Sequence, residues 1–311
     1  MVTIVTAAYK TRPDHLRAAL ESAVRQTYGS FELIVSDDSP DASLAALVSS
    51  FGDPRLRYRH NVPALGVAGN HWACFREARG TFIALLNHDD EFEPTFLERL
   101  VEPLVGDETL ALAFCDHWVI DAEGRTLTDE TDRNTKAWGR ATLAAGVHRP
   151  FGELLLRQTI PLAMGAVFRR SALPDRFDDT AGPAYDLWIA YWLCRPGFGA
   201  YYVPERLSRW RTHPTNLTSA AGSDWALGGA TCWAAIASDP ALRSIAPASR
   251  RRAALAYYEC ARGAWRAGQL GATRQFGMRS LSQQLTWRGA VALALSTGLL
   301  RPSSADKRVG S

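Results

Sequence analysis

Two pairs of adjacent acidic residues follow apolar runs of the sequence. Asp37 and Asp38 follow the run 31–35 after one residue, Ser36, and Asp89 and Asp90 follow the run 82–86 after Asn87 and His88. Adjacent carboxylates on a tight turn repel each other, and a bound divalent cation relieves that repulsion. The alternative is that Asp and Ser after a strand only cap the next helix. Two such pairs in one chain, the second extended by Glu91, favour a site that holds a cation.

The elements that must position these acids alternate along the first part of the chain. Apolar runs typical of strands at 2–5, 31–35, 56–59 and 82–86 alternate with helical patterns at 16–24, 43–51 and 70–78. This alternation predicts an α/β fold with a mostly parallel sheet flanked by helices. Ligands of open sheets of this kind bind beyond the carboxyl ends of the strands, where both acidic pairs stand.

The pattern changes after residue 110. A strand-like run at 110–120 ends in a hairpin-turn sequence at 121–124, and residues 126–148 are polar and poorly periodic, which predicts a mobile or acceptor-facing segment. A strand at 163–168, a helix at 185–194 and a strand at 200–203 return the chain to the sheet. We therefore expect an α/β domain over 1–222, a helical region over 223–300 and a disordered tail over 301–311.

Composition and charge exclude several classes of protein. The net charge of +3 leaves no nucleic-acid footprint, so we expect no nucleic-acid partner. The five cysteines are far apart and include no Cys-x-x-Cys pair, which fits neither a disulfide framework nor a zinc site. Free thiols indicate a reducing cytoplasm. Residues 1–9 read directly as a strand, without the pattern of a signal peptide.

The longest apolar tract, residues 289–300, is interrupted and too short to cross a membrane. We therefore expect no transmembrane segment, and a buried helix at this tract in preference to a helix on a membrane surface. The expected location is the cytoplasm, with a peripheral position at the membrane as the open alternative.

Seven short segments of the chain resemble the motifs of inverting nucleotide-sugar glycosyltransferases of the large family 2. The resemblance covers residues 2–218, and it is specific because the segments occur in the family's order and spacing. They are VTIVTAAY (2–9), QTY (26–28), FELIVSDD (31–38), GVAGN (66–70), GTFIALLNHDD (80–90), DLW (186–188) and WRTH (210–213). The resemblance implies the Rossmann-like GT-A fold, here with a C-terminal helical appendage, and sugar transfer with inversion from a UDP- or dTDP-linked donor.

The resemblance assigns five residues to the donor. Asp38 accepts a hydrogen bond from the imide nitrogen of uracil or thymine, and Tyr9 borders or stacks on that base, unless it is a core aromatic. Asp89 contacts the ribose or the sugar. Asn70 lies in a segment that touches the nucleotide or its phosphates, although an ordinary loop before a helix looks the same. Arg211 neutralises phosphate charge, with a simple surface arginine as the alternative.

Asp90 and His213 are the metal ligands that the resemblance implies. Asp90 binds the divalent ion that bridges both donor phosphates, and few protein ligands are needed because phosphate oxygens and waters complete the coordination. His213 occupies the position of a final ligand on a loop that closes over the donor, and its imidazole favours Mn²⁺ over Mg²⁺. Asn87 stands where many relatives carry an acid. The expected cofactor is Mn²⁺ or Mg²⁺, which stabilises the departing diphosphate.

Asp186 matches the family's catalytic base. An inverting transfer needs one base that takes the acceptor proton while the nucleophile attacks the anomeric carbon. The alternative is a carboxylate that only stabilises a helix N-terminus.

Other functions stay open at this point. A degenerate transferase fold could serve as a scaffold, although the presence of Asp90 and Asp186 argues against it. A sugar nucleotidyltransferase is disfavoured because residues 9–13 lack the glycines of a phosphate loop. No motif in the sequence identifies the acceptor, which can be a glycan, lipid, metabolite or peptide. Aromatic side chains in the helical region predict a homodimer interface or an acceptor cleft.

Overall fold

A nine-stranded sheet is the centre of the computed structural model, which describes residues 1–195, 197–213 and 222–297. The strand order is β3-β2-β1-β4-β8-β6-β9-β5, and β7 pairs with β9. The strands are Val2–Ala8 (β1), Phe31–Asp37 (β2), Leu56–His60 (β3), Phe82–Leu85 (β4), Glu91–Phe92 (β5), Leu110–Ile120 (β6), Gly146–His148 (β7), Ala166–Arg169 (β8) and Gly199–Arg211 (β9).

The helices fall into two compact units of the chain. A sheet unit comprises residues 1–179 and 189–216, and a helical unit comprises residues 180–188 and 217–311. In chain order the helices are Pro13–Val24 (α1), Ala45–Ser49 (α2), Gly66–Glu77 (α3), Phe96–Gly106 (α4), Thr128–Ala137 (α5), Gly152–Arg157 (α6), Tyr185–Cys194 (α7), Gly222–Ser238 (α8), Ala246–Arg266 (α9), Leu270–Gln283 (α10) and Trp287–Leu295 (α11). The predicted domain boundaries at 222 and 300 stay predictions.

The strands β3, β2, β1 and β4 run parallel, as the βαβ rhythm predicts. Val2 at the start of β1 is aligned with Phe31 on one side and with Phe82 on the other. The remainder of the sheet is mixed, because β8 runs antiparallel to both β4 and β6 while β9 runs parallel to β6. The carboxyl ends of β1, β2 and β4 therefore meet at one edge, and the residues that follow them share that edge.

The sheet core explains why these segments form strands. Every residue of β2 is buried, as expected where helices cover both faces of a parallel sheet. Helix α1 contributes Leu16 and Leu20 to this core at helical spacing. Gly80 permits the tight entry into β4, because a Cβ atom there would lie 2.5 Å from the backbone nitrogen of Thr3.

The prediction of an irregular segment at 126–148 is wrong in part, because this segment contains helix α5. The side chain that α5 buries is polar. The Thr131 hydroxyl accepts a hydrogen bond from the Val119 backbone N–H, and the Thr135 hydroxyl donates to Asp116 at 2.6 Å. Threonines in place of leucines on the inward face remove the apolar periodicity by which a sequence reveals a helix.

Two other helices differ from their predictions, α3 in where it begins and α11 in how far it is buried. Helix α3 begins at Gly66, so Asn70 lies within a helix and not at its start. Helix α11 buries only Gly289 and Ala292, so the expectation of a buried helix at 289–300 is wrong over the residues described there.

Over the ranges of the chain that the structure describes, no helix is long and apolar enough to cross a membrane. The predicted tail at 301–311 lies outside the described residues.

Candidate active site

The turn that carries Asp89 and Asp90 follows β4 and is fixed through both oxygens of the Asp90 carboxylate. The Asn87 amide donates to Oδ2 at 2.9 Å, and the backbone N–H of Arg211 donates to Oδ1 at 2.9 Å. Asp90 is only 1% exposed, and burial together with the neighbouring Asp89 charge raises the pKa of Asp90 well above its usual range. An acid in place of Asn87 would add a third carboxylate here, whereas the amide supplies a donor.

The guanidinium of Arg211 holds this turn against the end of β6. Its Nε donates to the Asp89 carbonyl at 2.8 Å, and one terminal nitrogen donates to the carbonyls of Asp121 and Ala122, each at 3.2 Å. The other terminal nitrogen forms an ion pair with Glu91. The side chain is buried. Arg211 therefore contacts protein oxygens through all three nitrogens, and its role as a phosphate partner stays a prediction.

His213 lies beside the acidic turn, and its role as a metal ligand stays a prediction. Its Nε2 is 3.0 Å from Oδ2 of Asp89, and its ring centroid is 5.6 Å from that of His15. His15 is buried in α1, with Nε2 3.1 Å from the Ala122 carbonyl, and burial together with the positive charge of Arg211 lowers its pKa. The sequence prediction missed His15, whose only signal was a histidine in the first helix after β1.

The carboxylate of Asp38 is held by two donors at the end of β2. The Asn61 amide donates to Oδ1 at 2.7 Å, and the backbone N–H of Leu65 donates to Oδ2 at 3.1 Å. Asn61 also donates to Asn70, whose own amide donates to the Ser36 carbonyl at 2.9 Å. A carboxylate offers about four acceptor positions, so Asp38 retains capacity for a ligand donor. The sequence prediction missed Asn61. We call Asp38 with its donors Asn61 and the Leu65 N–H the Asp38 cradle, and the buried Asn70 supports it through its contact with Asn61.

The other residues at this edge divide into structural and accessible ones. Asp37 is buried and accepts hydrogen bonds from the Tyr58 hydroxyl at 2.8 Å and from the Ser39 backbone N–H at 2.9 Å, so it fixes the turn after β2. Tyr9 is 54% exposed, with the Lys10 ammonium 5.1 Å from its ring centroid. The alternative role of Tyr9 as a core aromatic is therefore wrong, and its ring is accessible to a base.

Asp186 lies in the first turn of α7 and belongs to the helical unit, whereas the other candidate residues belong to the sheet unit. Its Oδ1 accepts a hydrogen bond from the Leu187 backbone N–H at 2.8 Å. Burial raises the pKa of the Asp186 carboxyl above its ordinary value. A raised pKa makes this carboxylate a stronger base than an exposed aspartate, and its role as the catalytic base stays a prediction.

The acidic turn fits a metal ion that is shared with a diphosphate. In the described part of the chain, no three His, Cys, Asp or Glu side chains are grouped so that they would hold an ion by themselves. Asp90, Asp89 and His213 offer oxygen and nitrogen donors of the kind that Mn²⁺ accepts, and phosphate oxygens and water can complete its coordination. The raised pKa of Asp90 supports this fit, because a cation stabilises the carboxylate form that burial disfavours.

Comparison with curated proteins identifies relatives that share part of this chain. The succinoglycan biosynthesis protein ExoO of Rhizobium meliloti (strain 1021) is 35% identical over 127 residues, which are 40% of this chain and 36% of ExoO. The UDP-Glc:alpha-D-GlcNAc-diphosphoundecaprenol beta-1,3-glucosyltransferase WfaP of Escherichia coli is 34% identical over 95 residues, 30% of this chain and 38% of WfaP. This chain thus spans less than two fifths of the length of these relatives.

A solved structure matches nearly the whole chain in fold. Residues 1–349 of TarS from S. aureus superpose with a TM-score of 0.68 at 12% identity, covering 96% of this chain and 88% of that one. At this identity the likeness shows the fold alone, and it confirms the predicted GT-A architecture with C-terminal helices. The model of the family described as "Glycosyl transferase family 2" matches residues 3–173, which is more than half of the chain. The protein belongs to glycosyl transferase family 2.

Proposed function

We propose that the protein transfers a sugar from a UDP- or dTDP-linked donor to an acceptor nucleophile, with inversion and with the help of Mn²⁺ or Mg²⁺. One observation carries the proposal. The Asp38 cradle after β2 and the Asp89-Asp90 turn after β4 flank β1 at the carboxyl edge of the sheet. Two strand spacings separate them, roughly 10 Å, a span that suits an elongated ligand with a base at one end and a diphosphate at the other.

The nucleobase end of this site follows from the hydrogen bonds of Asp38. Since Asn61 and the Leu65 N–H already donate to the carboxylate, Asp38 is held as an acceptor for one further donor. The imide N–H of uracil or thymine is such a donor, whereas cytosine offers only an acceptor nitrogen at that position. Tyr9 stands exposed at the end of β1, where its ring can stack on the base. One of the solved TarS structures is a complex with UDP, which supports UDP as the nucleotide to test first.

The diphosphate end of the site is the acidic turn. Asp90, with Asp89 and His213, would hold the divalent ion there. When bound, that ion would neutralise charge on the diphosphate as the glycosidic bond breaks. Arg211 keeps Asp89 and Asp90 in place through the carbonyl of Asp89 and its own N–H. Asp89 would then also contact the sugar part of the donor.

Asp186 is the proposed base. Its carboxylate takes the acceptor proton while the acceptor attacks the anomeric carbon from the face opposite the leaving diphosphate, which inverts the configuration. The raised pKa of Asp186 brings its proton affinity closer to that of a hydroxyl nucleophile under attack. The proton has a defined destination, and the electron pair of the broken bond leaves with the diphosphate.

The acceptor class is the least constrained part of the proposal, since a glycan, lipid, metabolite or peptide is compatible with the sequence motifs. WfaP and the related E. coli protein WfgD are both named as glucosyltransferases that act on a sugar linked to diphosphoundecaprenol. We infer that a lipid-linked saccharide is the first acceptor to test, at the cytoplasmic side of a membrane.

A mass-spectrometric screen tests the proposed activity. Purified protein is incubated with Mn²⁺ and a panel of UDP-, dTDP- and GDP-sugars, with and without a lipid-linked saccharide acceptor. We expect release of UDP or dTDP and a glycosylated product, and no reaction with EDTA. Turnover of GDP-sugars alone would overturn the base assignment of Asp38. Pyrophosphate release from a nucleoside triphosphate and a sugar phosphate would instead identify a nucleotidyltransferase.

A further inference from the structure

Positive charge is concentrated in the helices α9, α10 and α11. Residues 246–295 contain eight arginines and a single acid, Glu259, although the net charge of the whole chain is only +3. The remainder of the chain is therefore net negative. Glu259 is already paired with Arg262 at 2.7 Å. The helical unit thus presents a cationic surface that the overall charge conceals.

Large apolar side chains are exposed on the same helices. Trp287 is 68% exposed, Met278 is 50% exposed, and Leu285, in the connection between α10 and α11, is 88% exposed. Along α10, Leu270, Arg274 and Met278 follow each other at intervals of four residues, which places them on one side of the helix. We call the following set the hairpin face: Leu270, Arg274, Met278, Leu285, Trp287 and Arg288.

The packing of α10 against α11 turns these side chains outward. A Cβ atom at Gly277 would lie 3.2 Å from the Ala292 Cβ, and one at Gly289 would lie 2.7 Å from Leu281. Position 277 is thus beside 292 and position 281 beside 289, so the two helices run antiparallel with small residues at their contact. The inward sides are closed by this contact, and the exposed large residues lie on the other sides of both helices.

We propose that the hairpin face docks on an anionic lipid surface. A helix that carries Trp and Leu beside Arg, without a membrane-spanning length, is the composition of an interfacial helix. Trp287 suits the headgroup level of a bilayer, and the guanidinium of Arg288 lies 5.1 Å from its ring centroid, where it can reach lipid phosphates. Anionic lipid phosphates complement the excess of arginine.

A second copy of the chain is the competing occupant of this face. In a two-fold dimer through the hairpin face, Arg274 and Arg288 would meet their own copies or each other, and the helices offer only the already paired Glu259 as a counter-charge. Like charges at such an interface oppose association. A phosphate-bearing bilayer satisfies the arginines and the apolar side chains together, which a copy of the same face does not.

Vesicle co-sedimentation of the full chain tests the proposal. The probes are vesicles of phosphatidylcholine alone and of phosphatidylcholine mixed with phosphatidylglycerol. We expect binding to the mixed vesicles only, weakened by salt. The double variants Leu285→Ser with Trp287→Ala, and Arg274→Gln with Arg288→Gln, should each bind on the order of tenfold more weakly. Matched controls on the sheet unit, Val105→Ser and Arg133→Gln, should bind like the wild type.

Each other outcome overturns the proposal. Absent binding, equal binding to neutral vesicles, or unchanged binding by both double variants would remove the lipid surface as the occupant. A dimer in light scattering that the double variants convert to a monomer would identify the face as an interface between copies. Thermal melting checks that the variants fold, and the arginine pair changes only exposed side chains, so at least one variant gives a clear result.

Discussion

At the scale of single residues, the carboxylate of Asp90, the proposed metal ligand, is held in an unfavourable environment. Burial and the charge of Asp89 raise its pKa, so the folded state holds the proton of Asp90 more tightly than the unfolded state does. A carboxyl whose pKa is raised on folding lowers the stability of the folded state once the pH exceeds the pKa that this carboxyl has in the unfolded state. The fold therefore keeps a destabilising carboxyl at this turn, a cost that the proposed metal site would explain.

Replacing Asp90 separates these two effects. Asp90→Asn removes the charge and keeps the shape, so we expect an unfolding free energy equal to or above that of the wild type at neutral pH. Sugar transfer should fall by at least about 100-fold, because the electrostatic stabilisation of the leaving diphosphate is lost. Thermal denaturation measures the stability of the variant, and initial rates with Mn²⁺ measure its activity. A variant that keeps its activity, or that loses activity only because it unfolds, would contradict the assigned role.

The raised pKa of Asp186 predicts how the reaction rate depends on pH. A base acts in its deprotonated form, and burial raises the pKa of this carboxyl, so the rate should fall with decreasing pH at a value above that of an ordinary Asp, about 4. Asp186→Asn should lose roughly 10²- to 10⁴-fold in rate together with this acidic limb. The measurement is kcat/KM across pH for both proteins. Unchanged turnover in Asp186→Asn would show that another group is the base.

At the scale of elements, strand β9 shows which parts of the fold the sequence predicts and which it does not. The prediction covered only residues 200–203, because the exposed residues Pro204 and Glu205 interrupt the apolar pattern. The strand continues past them to Arg211 through irregular pairing with β6. The apolar, repeating elements β1, β2 and β4 were predictable, since burial on both faces selects their residues. Elements held by polar contacts, such as α5 and the end of β9, leave no such periodicity.

The same contrast holds for the candidate site. Asp38 and Asp90 were predictable because they stand in recognisable motifs shortly after apolar strands. Asn61 and His15 were not, because each reaches the site from a separate segment of the chain through side-chain contacts, Asn61 with Asp38 and His15 with the Ala122 carbonyl and the His213 ring. Contacts between distant segments depend on the folded sheet and have no local signature in the sequence.

Arg211 joins two elements, and its replacement should show this. Arg211→Met leaves Glu91 without its ion-pair partner, and we expect a loss of about 3–5 kcal/mol in unfolding free energy. Arg211→Lys keeps the charge but cannot reach the carbonyls of Asp89 and Ala122 together, so it should recover only part of the loss. Denaturant unfolding measures these values. The exposed Arg125→Lys serves as the control, with a change within about 0.5 kcal/mol. A similarly small change in Arg211→Met would contradict the role of Arg211 in joining the acidic turn to the end of β6.

At the scale of the whole molecule, the two units differ in chemistry. The sheet unit contains the acidic edge on which the proposed donor site is built, and the helices α9 to α11 contain the excess of arginine. The net charge of +3 is the sum over the whole chain, so it does not reveal this difference in charge between the units. The two proposals, a metal-bound diphosphate at the sheet edge and lipid phosphates at the cationic helices, therefore rest on different units, and each can be tested without the other.

The five cysteines give a further test of the whole fold. All five are buried thiols outside any disulfide, and burial raises the pKa of the Cys74 and Cys115 thiols to about 12 and that of Cys260 to about 11. Since the thiolate is the reactive form, native protein should react slowly with iodoacetamide at neutral pH. Mass spectrometry should count five modified thiols after unfolding without reductant. Rapid native labelling, or fewer than five thiols, would contradict this arrangement.

The central claim is that the sheet edge binds a pyrimidine nucleoside diphosphate together with a divalent metal. Isothermal titration of the full chain with UDP, dTDP, CDP and GDP, in Mn²⁺ and in EDTA, tests it most directly. We predict metal-dependent binding of UDP or dTDP, weaker binding of CDP and GDP, and loss of the metal dependence in Asp90→Asn. If no nucleoside diphosphate binds in a metal-dependent manner, the account of this edge as a donor site is wrong.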